Sequence, residues 1–97
     1  RIAKLPDNAV VVNTARGDIV EDEALIDALK RGKLFAAGLD VFAGEPNIHP
    51  GYYQLDNAFI LPHLGSATVE TRNAMGFMVL DNLDAVFGGT TPPNRVA

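Results

Sequence analysis

Residues 9–41, AVVVNTARGDIVEDEALIDALKRGKLFAAGLDV, decide the fold. The stretch opens on Ala9–Val12, an apolar, β-branched run that does not alternate with polar residues, the pattern of a buried strand. A polar, glycine-containing loop follows from Asn13 to Asp18, and Ile19-Val20 re-enters local structure. Glu21, Asp22 and Glu23 then place three carboxylates where a helix starts, which suits the helix dipole. Ala24, Leu25, Ala28 and Leu29 recur at helical spacing, Lys30 and Arg31 occupy the last turn, and Gly32 is a good residue to leave it. The pattern predicts a helix over 22–31 and a second strand over 34–41, with Gly38 allowing close packing. Strand, helix, strand at this spacing is a βαβ unit, with parallel strands and a right-handed crossover.

Toward the N-terminus, RIAKLPDNA reads as a short helical remnant followed by a turn at Pro6-Asp7-Asn8. It has no apolar stretch of the kind that marks a signal peptide. The expectation is that the chain is a piece of a longer protein. Toward the C-terminus, residues 47–57 are polar and turn-rich and are expected to form an irregular surface loop. Ala58–Leu61 makes a third short strand, stopped by Pro62. Thr68 is placed to cap a long helix over 69–87 whose apolar residues form no single stripe, so that it packs on more than one side. Gly88-Gly89 ends that helix, and the tail TTPPNRVA is expected to be extended and mobile unless it docks.

The 97 residues make one domain at most, and 47% hydrophobic residues is ordinary for a globular chain. The net charge of −4 excludes nonspecific nucleic-acid binding, which needs a positive field. No run approaches the ~20 apolar residues of a membrane span. Cysteine is missing from the sequence, so neither a disulfide nor a thiolate metal site is available.

Three charged residues stand just past the three apolar runs: Arg16, Glu45 and His63. Open α/β sheets place ligands at the carboxyl ends of their strands. The Arg16 guanidinium presents a fork of donors that matches a carboxylate; the competing reading is a loop arginine in a surface ion pair. Glu45, in Gly44-Glu45-Pro46, is by itself a turn glutamate. A carboxylate bonded to a histidine would favour the imidazolium and fix the ring. His63 is of the residue type that moves protons near neutral pH, and Gly65-Ser66 beside it suggests backbone approaching a ligand. Its alternative is a structural histidine capping a strand or helix. Asp40 can accept hydrogen bonds from an amide or ribose of a cofactor, or cap a turn. His49 reads as plain surface. No acid–histidine spacing forms a metal motif, and no glycine-rich phosphate loop occurs.

Taken in order, NTARGDIVEDEALIDAL, AAGLDVFAGEP and LPHLGSATVETR resemble the D-isomer-specific 2-hydroxyacid dehydrogenases, over about Leu5 to Val96. Within that family the chain is most similar to the glyoxylate/hydroxypyruvate reductase branch, and TTPPNRVA looks like that branch's ending. The resemblance implies an α/β fold: a partial Rossmann-like parallel sheet of about three strands and two main helices, from an incomplete doubly wound domain. Residues 1–97 would be the C-terminal portion of an NAD(P)-binding domain, with 68–97 the long helix and tail returning to a substrate domain. By the same resemblance, Arg16 would bind the carboxylate and carbonyl end of a 2-oxo acid. His63 would be the proton donor and acceptor, and Glu45 would keep it protonated. Thr14, Ala15, Arg16, Asp40, His63, Gly65 and Ser66 would line the nicotinamide of NAD or NADP.

The G-x-G-x-x-G turn that cradles a dinucleotide's pyrophosphate does not occur in the sequence, so the fragment alone is not expected to be active. The expected setting is a cytoplasmic oxidoreductase acting on a small 2-oxo or 2-hydroxy acid, with no nucleic-acid or membrane partner. An exposed sheet edge and uncovered faces favour a dimer or other homo-oligomer. A formate dehydrogenase is disfavoured, because that branch has a glutamine where Glu45 stands. A phosphoglycerate dehydrogenase-type enzyme, or a non-catalytic, corepressor-like interaction module, is the alternative.

Overall fold

The structure is a computed structural model and describes residues 1–96. The chain divides into two units, residues 1–65 and the segment from Ser66 onward. In the first, strands β1 (Ala9–Asn13), β2 (Leu34–Leu39) and β3 (Ala58–Ile60) form one parallel sheet in that order. Helix α1 (Asp22–Lys30) makes the crossover from β1 to β2, as the βαβ spacing requires.

Helix α1 buries Leu25, Ile26, Ala28 and Leu29 against Leu34, Ala37 and Leu39 of the sheet. Ile26 extends the apolar stripe beyond the four positions that spacing alone picks out, and Ala24 is only partly buried. The reason is the segment expected to be irregular. Residues 50–54 wind into a short 3-10 turn that folds over α1, burying Tyr52, whose hydroxyl donates to Asp22 Oδ1 at 2.6 Å. Burial and that bond push the Tyr52 phenol well above its ordinary range. His49 is not plain surface either: its Nδ1 accepts the Gly51 N–H at 3.0 Å and caps this turn.

The helix stops at Lys30, with Arg31 as cap and Gly32 in the left-handed region at φ +69°. Strand β2 ends at Leu39 rather than at Val41; the Asp40 N–H makes one more bond to the Asn13 carbonyl of β1, while its side chain bonds the 64–65 backbone. The non-alternating β1 run suggests a strand covered on both sides, yet only one face of the sheet is packed. Val12, Gly38 and Phe59 lie in register across the other face, and Val12 and Phe59 are 69% and 68% exposed. The second layer of helices that such a run anticipates is not among the described residues.

In the second unit, helix α2 (Val69–Phe87) starts where Thr68 caps it by accepting the Thr71 N–H at 3.1 Å. It ends at Gly88, with Gly89 at φ +72°. Its expected packing on several sides is not found among the described residues, since none of its residues is buried. The tail is not free. Asn94 and Asn82 exchange two hydrogen bonds, of 2.9 and 3.1 Å, and Thr90 bonds back to the Ala85 carbonyl. The last residue of that tail, Ala97, lies outside the described residues.

Candidate active site

Each of the three charged residues is set by a different local device at the carboxyl end of the sheet. Arg16 follows β1 on a turn organised by Asn13. The buried Asn13 side chain accepts the Ala15 N–H through Oδ1 at 3.1 Å and donates through Nδ2 to the Arg16 carbonyl at 2.9 Å. A side chain that satisfies both ends of its own turn holds that turn against solvent. Gly17 comes next and is buried. A Cβ there would stand 1.9 Å from the Phe42 carbonyl carbon, so only glycine lets the Arg16 turn lie against the 42–45 turn. The Arg16 side chain is exposed, donates to the Ala15 carbonyl at 2.7 Å, and makes no ion pair among the described residues. The surface-ion-pair reading of Arg16 therefore has no support here.

Glu45 sits on the turn after β2, where Gly44 takes φ +74°. One carboxylate oxygen accepts the Phe42 N–H at 2.8 Å, and the other meets His63 Nδ1 at 2.7 Å. The His63 bond first, and the Phe42 N–H second, hold the Glu45 carboxyl below its ordinary value. The geometry assigns the two ring nitrogens: Nδ1 carries the hydrogen that faces Glu45, which leaves Nε2 as the outward atom.

His63 follows β3 with φ +58°, a left-handed backbone that a non-glycine residue adopts at a cost of about 1–3 kcal/mol. Two bonds sustain it. Asp40, buried at the end of β2, accepts the Leu64 N–H on one oxygen and the Gly65 N–H on the other, both at 2.7 Å. Asp40 is thus engaged with backbone on both oxygens. Of the further residues expected at a cofactor, Thr14 and Ala15 are exposed beside Arg16, Gly65 is part of the Asp40 clamp, and Ser66 is the exposed first residue of the second unit.

Arg16, Gly17, Phe42, Gly44, Glu45 and His63 border one open cleft of about 300 Å³. A larger hollow of about 560 Å³, mostly apolar and lined by Pro46, Ile48, Tyr53 and Leu61 among others, shares the Glu45–His63 pair with it. Two contributors escaped sequence reasoning. In the sequence Asn13 only opens a loop, although an asparagine ending a buried run is the type that makes a side-chain-to-backbone turn. Gly17 carries no sequence signal of its role, because its partner, the Phe42 backbone, is remote in sequence.

An open parallel sheet with a cation, a carboxylate-bound imidazole and a cleft at its carboxyl edge is the class of domain that places small ligands beside a nucleotide. Known proteins agree. Residues 1–65 match the NAD binding domain of the D-isomer specific 2-hydroxyacid dehydrogenases. The chain is 54% identical over 88 residues to a glycerate dehydrogenase of Hyphomicrobium methylovorum, covering 91% of this chain and 27% of that protein. It is 46% identical over 96 residues to a glyoxylate reductase of Pyrococcus furiosus, covering 99% and 29%. Among solved structures it superposes on an NADPH-dependent glyoxylate/hydroxypyruvate reductase of Sinorhizobium meliloti with a TM-score of 0.88 at 42% identity, over 99% of this chain and 31% of that one. The chain belongs to the D-isomer specific 2-hydroxyacid dehydrogenase family. It spans less than a third of the length of these relatives.

Proposed function

We propose that residues 1–97 are the C-terminal portion of the NAD(P)-binding domain of an oxidoreductase that reduces a small 2-oxo acid, of the glyoxylate or hydroxypyruvate kind, to its D-2-hydroxy acid. In that reading residues 68–97 form the helix and tail that return to a substrate domain. The observation that carries the proposal is the Glu45–His63 bond of 2.7 Å in a cleft that Arg16 also borders. Relatives with these names, and a domain family defined by NAD binding, support it.

The residues present fit one end of such a cofactor. The cleft stands at the carboxyl edge of a parallel sheet, and exposed backbone at Thr14–Arg16 adjoins it. None of the 97 residues forms a G-x-G-x-x-G cradle for the pyrophosphate. A reduced nicotinamide, when bound, supplies the hydride that reaches the carbonyl carbon.

The chain's own groups do the rest. Arg16 holds the substrate carboxylate with its forked donors and sets the carbonyl's orientation. Hydride arrival builds negative charge on the carbonyl oxygen. His63 holds a proton at Nε2 and gives it to that oxygen, and takes it back in the reverse direction. Glu45 keeps the ring in place through Nδ1 and offsets the positive charge that the imidazole carries before transfer.

The test uses the whole protein that carries this chain, with glyoxylate or hydroxypyruvate and NADH or NADPH. His63→Ala is expected to lower kcat by ~10²–10⁴-fold, the usual contribution of a positioned acid. Arg16→Ala is expected to lower kcat/KM by ~10²-fold. Unchanged turnover in both variants would sink the assignment.

The unpacked face at Val12, Gly38 and Phe59, and the uncovered α2, supply the surface for the remaining domain or a second copy. Self-association of the isolated chain at micromolar concentration is expected by sedimentation; a monodisperse monomer would count against it. Among the described residues no helix is long and apolar enough to cross a membrane, and the proposed setting is the cytoplasm, where NAD(P)H is supplied.

A further inference from the structure

We infer that Tyr52 is a positioning residue for the Glu45–His63 pair: through Phe42 it fixes the backbone N–H that holds the Glu45 carboxylate. The roles proposed for Glu45 and His63 underlie this assignment.

Glu45 has two partners. One oxygen faces His63, and the other accepts the Phe42 N–H at 2.8 Å. Phe42 lies past the end of β2, so no ladder bond orients that N–H. Its direction is set by what grips Phe42. On the backbone side stands Gly17, whose missing side chain lets the Phe42 carbonyl lie against the Arg16 turn. On the ring side stands Tyr52, with centroids 5.4 Å apart and planes inclined at 67°, the edge-to-face contact that aromatic pairs favour. Both side chains are buried.

Tyr52 is tied in turn to α1. Its hydroxyl donates to Asp22 Oδ1 at 2.6 Å. Burial and that bond keep the phenol protonated well beyond neutral pH, so it stays a donor. Gly51 supports the same reading from the other side of the turn. A Cβ there would stand 2.9 Å from Ile26 Cδ1 of α1 and equally close to His49 Nδ1, so the turn lies on the helix as closely as glycine permits. A phenylalanine would fill the space that Tyr52 fills; the hydroxyl adds a directional anchor on a helix. Helix α1, Tyr52, Phe42, Glu45 and His63 thus form one continuous series of contacts. Tyr52 acts on the chemistry through the place of Glu45, which it does not itself hydrogen-bond.

Tyr52→Phe tests this, because it removes the anchor and keeps the ring. In the whole protein kcat for glyoxylate is expected to fall ~10-fold, part of the ~10²-fold that a misplaced catalytic group costs. The basic limb of kcat/KM against pH should also move to lower pH, since a loosened Glu45 supports the imidazolium less. The other charged groups around the pair are Arg16 and Asp18, which border the same cleft, and Asp40 at the end of β2, and the substitution touches none of them. Asp22→Asn should leave rate and limb unchanged, because its amide oxygen still accepts the phenol hydrogen. In a Glu45→Gln background Tyr52→Phe should move the limb no further. A limb that stays in place while denaturation shows lost stability would overturn the inference, leaving Tyr52 a packing residue only. An equal shift with and without Glu45 would overturn it too. Should Tyr52→Phe fail to fold, Asp22→Ala removes the acceptor from the partly exposed side and carries the same expectations. Unchanged turnover in His63→Ala would remove the proposed function and this inference together. Lost turnover in His63→Ala beside a wild-type profile in Tyr52→Phe would remove this inference alone.

Discussion

The two units of this chain solve the same problem differently. Residues 1–65 bury apolar side chains between α1 and one face of a sheet, and Leu25 and Leu34 at the centre are wholly inaccessible. From Ser66 onward there is a helix of 19 residues with Met75, Phe77, Met78, Leu80 and Leu83 all about half exposed or more, and no buried residue. Helices draw most of their stability from packing an apolar face. The first unit contains its own reason to fold; the second has caps at both ends and a docked tail, and displays surface made for something else to cover. The proposed active-site geometry lies on the self-supporting side of that division, where rigid strand ends can hold it.

The contrast can be broken most forcefully at Gly17. Gly17→Ala should cost ~3 kcal/mol or more in chemical denaturation, because its Cβ meets backbone that cannot move aside, and it should also separate the Arg16 turn from Glu45. Leu25→Ala is expected to cost about 2–5 kcal/mol, as a fully buried leucine does; Leu83→Ala on α2 should cost under about 0.5 kcal/mol, and equal effects would erase the distinction between the units. Asn13→Ala leaves the Ala15 N–H and the Arg16 carbonyl without their partner, for a loss of about 1–3 kcal/mol.

A smaller effect lies in the pH dependence of stability. The Glu45 carboxyl is held below its ordinary value, 4.5, so the unfolded chain takes up that proton more readily than the folded one. Its stabilising contribution is therefore present above about pH 4.5 and is lost as pH falls through the lower, folded value. Glu45→Gln should flatten this part of an acid titration of stability followed by circular dichroism; an unaltered acid limb would mean the bonds of the Glu45 carboxylate to His63 and Phe42 contribute nothing to the fold. The smallest effect is expected on the open sheet face, where Phe59→Ser should shift stability by less than about 0.5 kcal/mol yet reduce self-association.

Much of this molecule is determined by local patterning. The βαβ unit, both main helices, the Thr68 cap, and the three charges past three strands all follow from residue order, because strand and helix periodicities and end signals act within a few residues of one another. The loop over α1, the buried Tyr52 and the docking of Asn94 on Asn82 do not, since each joins segments that propensity treats separately. Only the tertiary structure decides that Asp40 reaches across to the 64–65 backbone, that Gly17 gives way to Phe42, and that Glu45 lies 2.7 Å from His63. The sequence by itself determines which groups stand at the carboxyl ends of the strands. Whether they meet depends on how neighbouring strands align and where each chain turns beyond its ladder, and that is settled by hydrogen bonds between residues far apart in sequence, such as those of Asp40 with Asn13 and Gly65, whose partners no local pattern specifies.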